Sequence, residues 1–311
     1  MTLTILTPTY NRANMLPYLY NSLLTQTSRD FEWLIVDDGS TDDTETIVQQ
    51  WIADNAMAVR YLYKKNGGKH TALNAGISTV TSQLTMIVDS DDALTPDAVE
   101  TVLQYHGRYK DVTGLCGYVF LRCFPDGTVN GKQFIPDETI GTYIDMRINR
   151  DDTHADKAEV YFTHCLQEYP FPEIGEEKFL GEDLVWIRMA KKYCMLHVNR
   201  VIYIGNYLEG GLTQSRRRHN IESPRGCMLR AIEFMSGEIR FKYRFKGALQ
   251  YLIYGQFAHI GWKSLVRQSP RKLLTALLVI PGFCLYRKWK HNYECQKSVD
   301  GSIFTLQKTA L

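Results

Sequence analysis

Short apolar runs and one-sided stretches alternate through the first hundred residues. Leu3–Thr7, Phe31–Val36, Val59–Tyr63 and Leu84–Val88 are too short for helices and are bounded by turn residues, so they read as strands, the last of them ending buried at Met86–Val88. Pro8 ends the first. Between them, Asn14 to Thr25 carries Leu16, Leu19, Leu23 and Leu24 on one helical face. A second helix, capped by Ser40 or Thr41, runs to about Trp51, and a third from Thr71 to about Ser78. Thr95 as cap and Pro96 at the first helical position open a fourth. Strand, loop and helix repeated in this way predict right-handed crossovers and a mostly parallel sheet, an α/β fold. The loops at 8–12, 37–42, 66–70 and 89–92 then fall on one edge of that sheet, where open α/β sheets bind ligands.

Three carboxylates, Asp89, Asp91 and Asp92, arrive within four residues at the end of the fourth strand. Acids this close repel one another unless a cation or donors compensate, and hard oxygen ligands suit Mg²⁺ or Mn²⁺ shared with a substrate's phosphates. Lys69 follows two glycines that permit close backbone approach and is a candidate second cation at a diphosphate. Asp37 and Asp38 have the acceptors to meet a nucleobase imide and a ribose, or to cap the next helix.

The second half is less periodic. Leu115–Leu121 reads as a strand, residues 125–160 are polar with a turn at 125–127, and His197 precedes a strand over Val198–Tyr203. Asp183 falls at the start of a helix reaching about Tyr193, where the helix dipole keeps a carboxylate ionised and where aspartate also caps. Tyr207–Thr213, followed by Arg216, Arg217 and Arg218, is a candidate closing loop whose cations would clamp a diphosphate or remain a solvated run.

Composition changes the picture only at the C-terminus. The net charge of +2 conceals twelve Lys/Arg against two acids over 241–311, a local +10. The apolar run 273–286 is interrupted by Pro281-Gly282 and is shorter than the roughly twenty residues of a spanning helix. With basic flanks, Trp262 and Trp289, it suits the interface of an anionic membrane surface better than its interior. No recognised nucleic-acid motif accompanies the basic residues. Seven cysteines without a C-x-x-C pair, and no apolar leader, are the expectation for a reducing, cytoplasmic setting.

Thr7–Arg12, Val36–Asp42, Gly67–Gly76, Asp89–Asp92 and Gly181–Asp183 occur in an order that resembles the bacterial family 2 glycosyltransferases. The resemblance covers roughly residues 1–215. It implies a GT-A fold, with a nucleotide-sugar-binding half (1–105), an acceptor-binding half (106–220) and here a helical basic region (221–311). It implies transfer with inversion, from a nucleoside diphosphate sugar (uridine diphosphate favoured) to a saccharide acceptor; the chain lacks the Q-x-x-R-W motif of processive synthases, so one sugar per acceptor is the expectation. It also implies that Pro8, Thr9, Tyr10, Arg12, Asp37 or Asp38, Lys69, Asp89, Ser90 and Asp91 hold the donor. Asp91 and Asp89 would hold Mn²⁺ or Mg²⁺, and Asp183 would be the base. Together with the charge of the tail, it suggests a lipid-linked acceptor met by a peripheral protein on the inner face of the plasma membrane. The alternative is an inactive scaffold subunit with the same fold, against which the intact acids argue. A sugar-nucleotide pyrophosphorylase would need a glycine-rich basic loop after the first strand, which Pro8–Asn11 is not.

Overall fold

The structure, a computed structural model, describes residues 1–150, 155–205 and 216–308, with the side chains among them apart from 216 and 296–308. The chain divides into two compact units, Met1–Glu209 and Gly210–Leu311.

The first unit is built on a nine-stranded mixed sheet. Its first half follows the repeat: β1 (Leu3–Thr9), α1 (Leu16–Leu24), β2 (Phe31–Asp37), α2 (Thr44–Asp54), β3 (Val59–Tyr63), α3 (Lys69–Ile77) and β4 (Leu84–Ile87). Then come β5 (Ala93–Leu94), α4 (Ala98–Tyr109), β6 (Leu115–Cys123), β7 (Thr139–Gly141), a π-helical turn (Ile144–Ile148), β8 (Ala158–Phe162), α5 (Thr163–Gln167), α6 (Asp183–Ala190) and β9 (Cys194–Ile204). The strand order is β3-β2-β1-β4-β8-β6-β9-β5, with β7 also on β9. β1 to β4 are mutually parallel, whereas β8 runs antiparallel to both β4 and β6. Strands from before and after residue 105 therefore share one hydrogen-bonded sheet.

Several boundaries differ from the sequence expectation, each for a local reason. β1 continues through Pro8 because β4 ends opposite Leu6, so the missing N–H of Pro8 costs no ladder bond. The cap of α2 is Asp43, because Ser40 Oγ is already used by the Asn11 N–H at 2.8 Å. Pro96 lies outside α4, whose cap is Asp97. α6 ends at Ala190, three residues earlier than expected, and has Glu182 at its cap with Asp183 as first helical residue.

β1 is buried at every position. α3 lies close on the sheet: a Cβ added at Gly76 would stand 2.4 Å from Leu6 Cδ1, an approach that only glycine permits. Trp33, fully buried, donates its indole N–H to Thr7 Oγ1 at 2.9 Å, which satisfies the one polar atom it brings inside.

The second unit is helical: α7 (Arg216–Glu222), α8 (Pro224–Phe234), α9 (Phe241–Phe257), α10 (Trp262–Gln268), α11 (Lys272–Leu277) and α12 (Val279–Lys308). Its core joins Cys227, Met228 and Ala231 to Ala248, Tyr251, Leu252, Leu265 and Leu278. Trp262 and Trp289 do not point outward as interfacial anchors; both pack against this core. Trp289 lies 5.9 Å from the ring of Tyr254, and Trp262 meets Phe283 edge-on at 6.1 Å. Aromatic bulk is what short helices with Ala, Gly and Cys on their facing sides need to fill the space between them. Among the described residues no helix is long and apolar enough to cross a membrane.

Candidate functional site

The crevice lies at the carboxyl edge of β1, β2 and β4, and its loops are tied to one another by hydrogen bonds. Asn11, at φ +52°, accepts the Thr41 N–H at 2.8 Å, and Asp42 accepts that of Ala13 at 3.0 Å. Asp38, buried, takes Lys64 Nζ at 2.7 Å on Oδ1 together with the Gly67 N–H at 2.9 Å, and the Gly68 N–H at 2.7 Å on Oδ2. Asp37, also buried, takes the Ser40 N–H and the Tyr61 hydroxyl, each at 2.7 Å. Both carboxylates of the second loop are thus engaged in fixing the glycine loop and its neighbours. Thr9 Oγ1 is buried with no hydrogen-bond partner, and Tyr10 beside it is half exposed.

The three acids of the fourth loop have three different environments. Asp92 is buried: Arg122 Nη2 and the Tyr203 hydroxyl reach its Oδ2 at 2.9 and 2.7 Å. Burial pushes its carboxyl up to about 6, although Arg122 pulls the other way. The Arg122 guanidinium stacks 4.0 Å over the Tyr203 ring, and the Tyr203 hydroxyl accepts the Asp89 N–H at 3.1 Å. Asp89 meets Lys69 Nζ at 2.6 Å; despite burial, which opposes ionisation, that ammonium holds it below the usual carboxylate range. Asp91 makes no hydrogen bond or ion pair among the described residues. It lines a cavity of about 330 Å³ with Asn14, Met15, Tyr18, Pro125 and Ile204.

Lys69 links the loop after β4 to the start of α6. Its ammonium also touches Glu182 Oε1 at 2.7 Å, immediately before Asp183. Burial alone would lower its pKa, but Asp89 and Glu182 outweigh that and hold it above its ordinary value. Gly68, at φ +95°, lets the Lys178 backbone come so near that an added Cβ would stand 2.0 Å from its carbonyl oxygen. Asn74 on α3 clamps the same segment: its Oδ1 accepts the Phe171 N–H at 2.8 Å, and its amide reaches the Phe171 carbonyl and Glu173 at 2.9 Å. Asp183, half-buried at the first position of α6, is in this way carried to the crevice.

Sequence reasoning missed Arg122, Tyr203, Glu182 and Glu159. Arg122 had one signal, a cation inside an otherwise apolar strand. Glu159, on β8 with Arg147 at 3.5 Å, is pushed up to about 7 by burial. His197 is fully buried and donates toward the Met195 carbonyl at 3.0 Å. It lies six residues up β9 from Tyr203, roughly 20 Å along the strand. Burial brings its pKa down to about 4. The closing loop 207–213 and Arg216's side chain lie outside the described residues. Arg217 sits 4.9 Å over Trp289 and Arg218 pairs with Glu222 at 3.1 Å, both inside the helical unit.

Among the described residues no three His, Cys, Asp or Glu side chains form a metal cage by themselves. A divalent ion of the Mg²⁺ type needs only one or two carboxylates when phosphates and water complete its shell. Asp91, an uncommitted hard-oxygen donor at a cavity, fits that requirement.

Residues 4–157 match the model of glycosyl transferase family 2. Chondroitin synthase of Pasteurella multocida is 39% identical over 127 residues, 40% of this chain and 13% of that protein. The matches cover 13–40% of the length of the curated relatives. S. aureus TarS 1–349 superposes with a TM-score of 0.61 at 17% identity, over 95% of this chain and 92% of that one; it has also been solved with UDP-GlcNAc. The mannosyltransferase PcManGT of Pyrobaculum calidifontis, solved with GDP-Man and Mn²⁺, gives a TM-score of 0.53 at 15% identity over 95% and 84%. With the five motifs on this sheet, the chain belongs to glycosyl transferase family 2 and has the GT-A fold.

Proposed function

We propose that the protein moves one sugar from a nucleoside diphosphate sugar, with uridine the favoured base, to a hydroxyl of a saccharide acceptor, inverting the anomeric carbon. The observation that carries this reading is the division of labour in the acidic loop: Asp92 and Asp89 are held by Arg122 and Lys69, while Asp91 has no partner among the described residues and faces the cavity. The UDP-GlcNAc complex of TarS and the GDP-Man and Mn²⁺ complex of PcManGT, both on this fold, support it.

Residues 1–105 would bind the donor and 106–220 the acceptor. Pro8, Thr9 and Tyr10, with Asp37 or Asp38, would hold base and ribose; the unpartnered Thr9 hydroxyl supports this. Arg12, Lys69, Asp89, Ser90 and Asp91 would line the diphosphate. Asp91, with Asp89 beside it, would hold Mn²⁺ or Mg²⁺, which as a Lewis acid supports charge on the departing phosphate. Asp183 takes the acceptor's hydroxyl proton as the new carbon–oxygen bond forms and the bond to the nucleoside diphosphate breaks. The +10 charge over 241–311 supports a lipid-linked acceptor reached by a peripheral protein at the inner, anionic face of a membrane.

Thermal unfolding with a panel of nucleoside diphosphate sugars, with and without Mn²⁺, tests this reading. Stabilisation by one donor, dependent on the metal and lost in Asp91→Ala, is expected. Folded protein that no donor stabilises would refute it and favour the scaffold alternative.

A further inference from the structure

The helical unit presents an apolar face that none of the described residues covers. Leu273, Leu277 and Ile280 are 84%, 79% and 76% exposed, three of the four most exposed large apolar side chains among the described residues. A lone exposed leucine is ordinary, but three within eight residues make a patch that calls for a partner. The face cannot turn inward, because the opposite side of the same segment is already packed. Thr275 is buried and bonded to Ser269 at 2.6 Å, Leu278 is in the core, and Gly282 lies against Leu252 of α9.

Charge identifies the partner. From Ile239 to Tyr293 there are eleven Lys and Arg residues and no Asp or Glu. Lys272, Arg287 and Lys288 flank the patch and are exposed. Outward aliphatic side chains bordered only by cations match a surface that is anionic outside and hydrocarbon just beneath.

We propose that this face seats on an anionic bilayer, with Leu273, Leu277 and Ile280 entering the boundary between headgroups and acyl chains and Lys272, Arg287 and Lys288 meeting lipid phosphates. The proposal rests on the membrane-surface placement given above and adds the residues that make it. Trp262 and Trp289, packed against the helical core, are not the anchors.

Flotation of the 311-residue chain with vesicles of phosphatidylcholine, alone or mixed with phosphatidylglycerol, provides the test. The chain is expected to float with the mixed vesicles only and to be released by raised salt. The variant L273Q/L277Q/I280Q should weaken partitioning by about tenfold or more, while its unfolding midpoint stays unchanged because all three sites are exposed. K272E/R287E/K288E, which alters only exposed cations, should abolish the preference for phosphatidylglycerol. Wild-type chain that floats while both variants float equally well would overturn the face and leave the membrane placement standing on other residues. A wild-type chain that floats with neither vesicle would overturn both, and donor-induced thermal shifts, measured separately, would be untouched by either failure.

Discussion

Replacing Lys69 with methionine keeps the aliphatic stem and deletes the charge between Asp89 and Glu182. Both carboxylates touch the same nitrogen, so their oxygens lie no more than about 5.3 Å apart and would face each other directly. Two unit charges at that distance repel by about 1 kcal/mol in water and about 3 kcal/mol at an effective dielectric of 20. Asp89 is 39% exposed, so solvent screening holds the net destabilisation to about 1–2 kcal/mol. Asp89 follows β4 and Glu182 precedes α6, so the strain falls on the crevice between these two segments. Urea unfolding of the variant and the parent, each with and without Mn²⁺, measures it. The divalent ion proposed at Asp91 would restore positive charge beside Asp89, so the deficit should shrink by at least half when Mn²⁺ is present. A deficit below about 0.5 kcal/mol would refute the view of Lys69 as the charge that holds Asp89 and Glu182 together, and one that Mn²⁺ leaves unchanged would count against the ion at Asp91.

Two further outcomes follow from the geometry. Asp183→Asn should lower kcat by about 10²–10⁴ with the donor-induced thermal shift intact, as expected for a lost general base; loss of that shift instead would make Asp183 a structural residue. His197 is held neutral, its pKa lowered to about 4, so its contribution is fully present above about pH 6.5 and declines as the pH falls through 4, by about 3 kcal/mol. Equilibrium unfolding across that window should show the loss in the parent and not in His197→Met; equal acid sensitivity of the two would count against it.

The first hundred residues were legible because β1, β2 and β4 are largely buried and leave short apolar runs, and each is followed by a loop of unusual composition. Asp89, Asp91, Asp38 and Lys69 could be picked out in this way. Their partners could not: Asp92 meets Tyr203 and Arg122 across 111 and 30 residues, and Glu182 meets Lys69 only because Gly68 admits the Lys178 backbone. Such pairings come from register and close approach, which leave no periodic trace in the chain. Helix starts were misplaced where the capping side chain was taken by another loop, as with Ser40. In the tail, composition revealed the charge but not the orientation. Tryptophans suggested an outward face and pack inward, while Leu273 and Leu277 of the apolar run stand in solvent.

The bond from Tyr203 to Asp92 has a consequence for how the protein is made. At roughly 5–20 residues per second, a ribosome needs roughly 5–20 s after adding Asp92 to reach Tyr203. During that interval β1 to β4 can pair, yet the antiparallel edge of β4 waits for β8, and three acids sit together without the tyrosine and the completed strand that brace them. The nascent chain is therefore an open-edged sheet whose acidic loop lacks one of its braces, a species for chaperones to shield. A ribosome that stalls, or a message truncated, before codon 203 yields a chain whose strands are nearly all present and whose acidic loop has never been set.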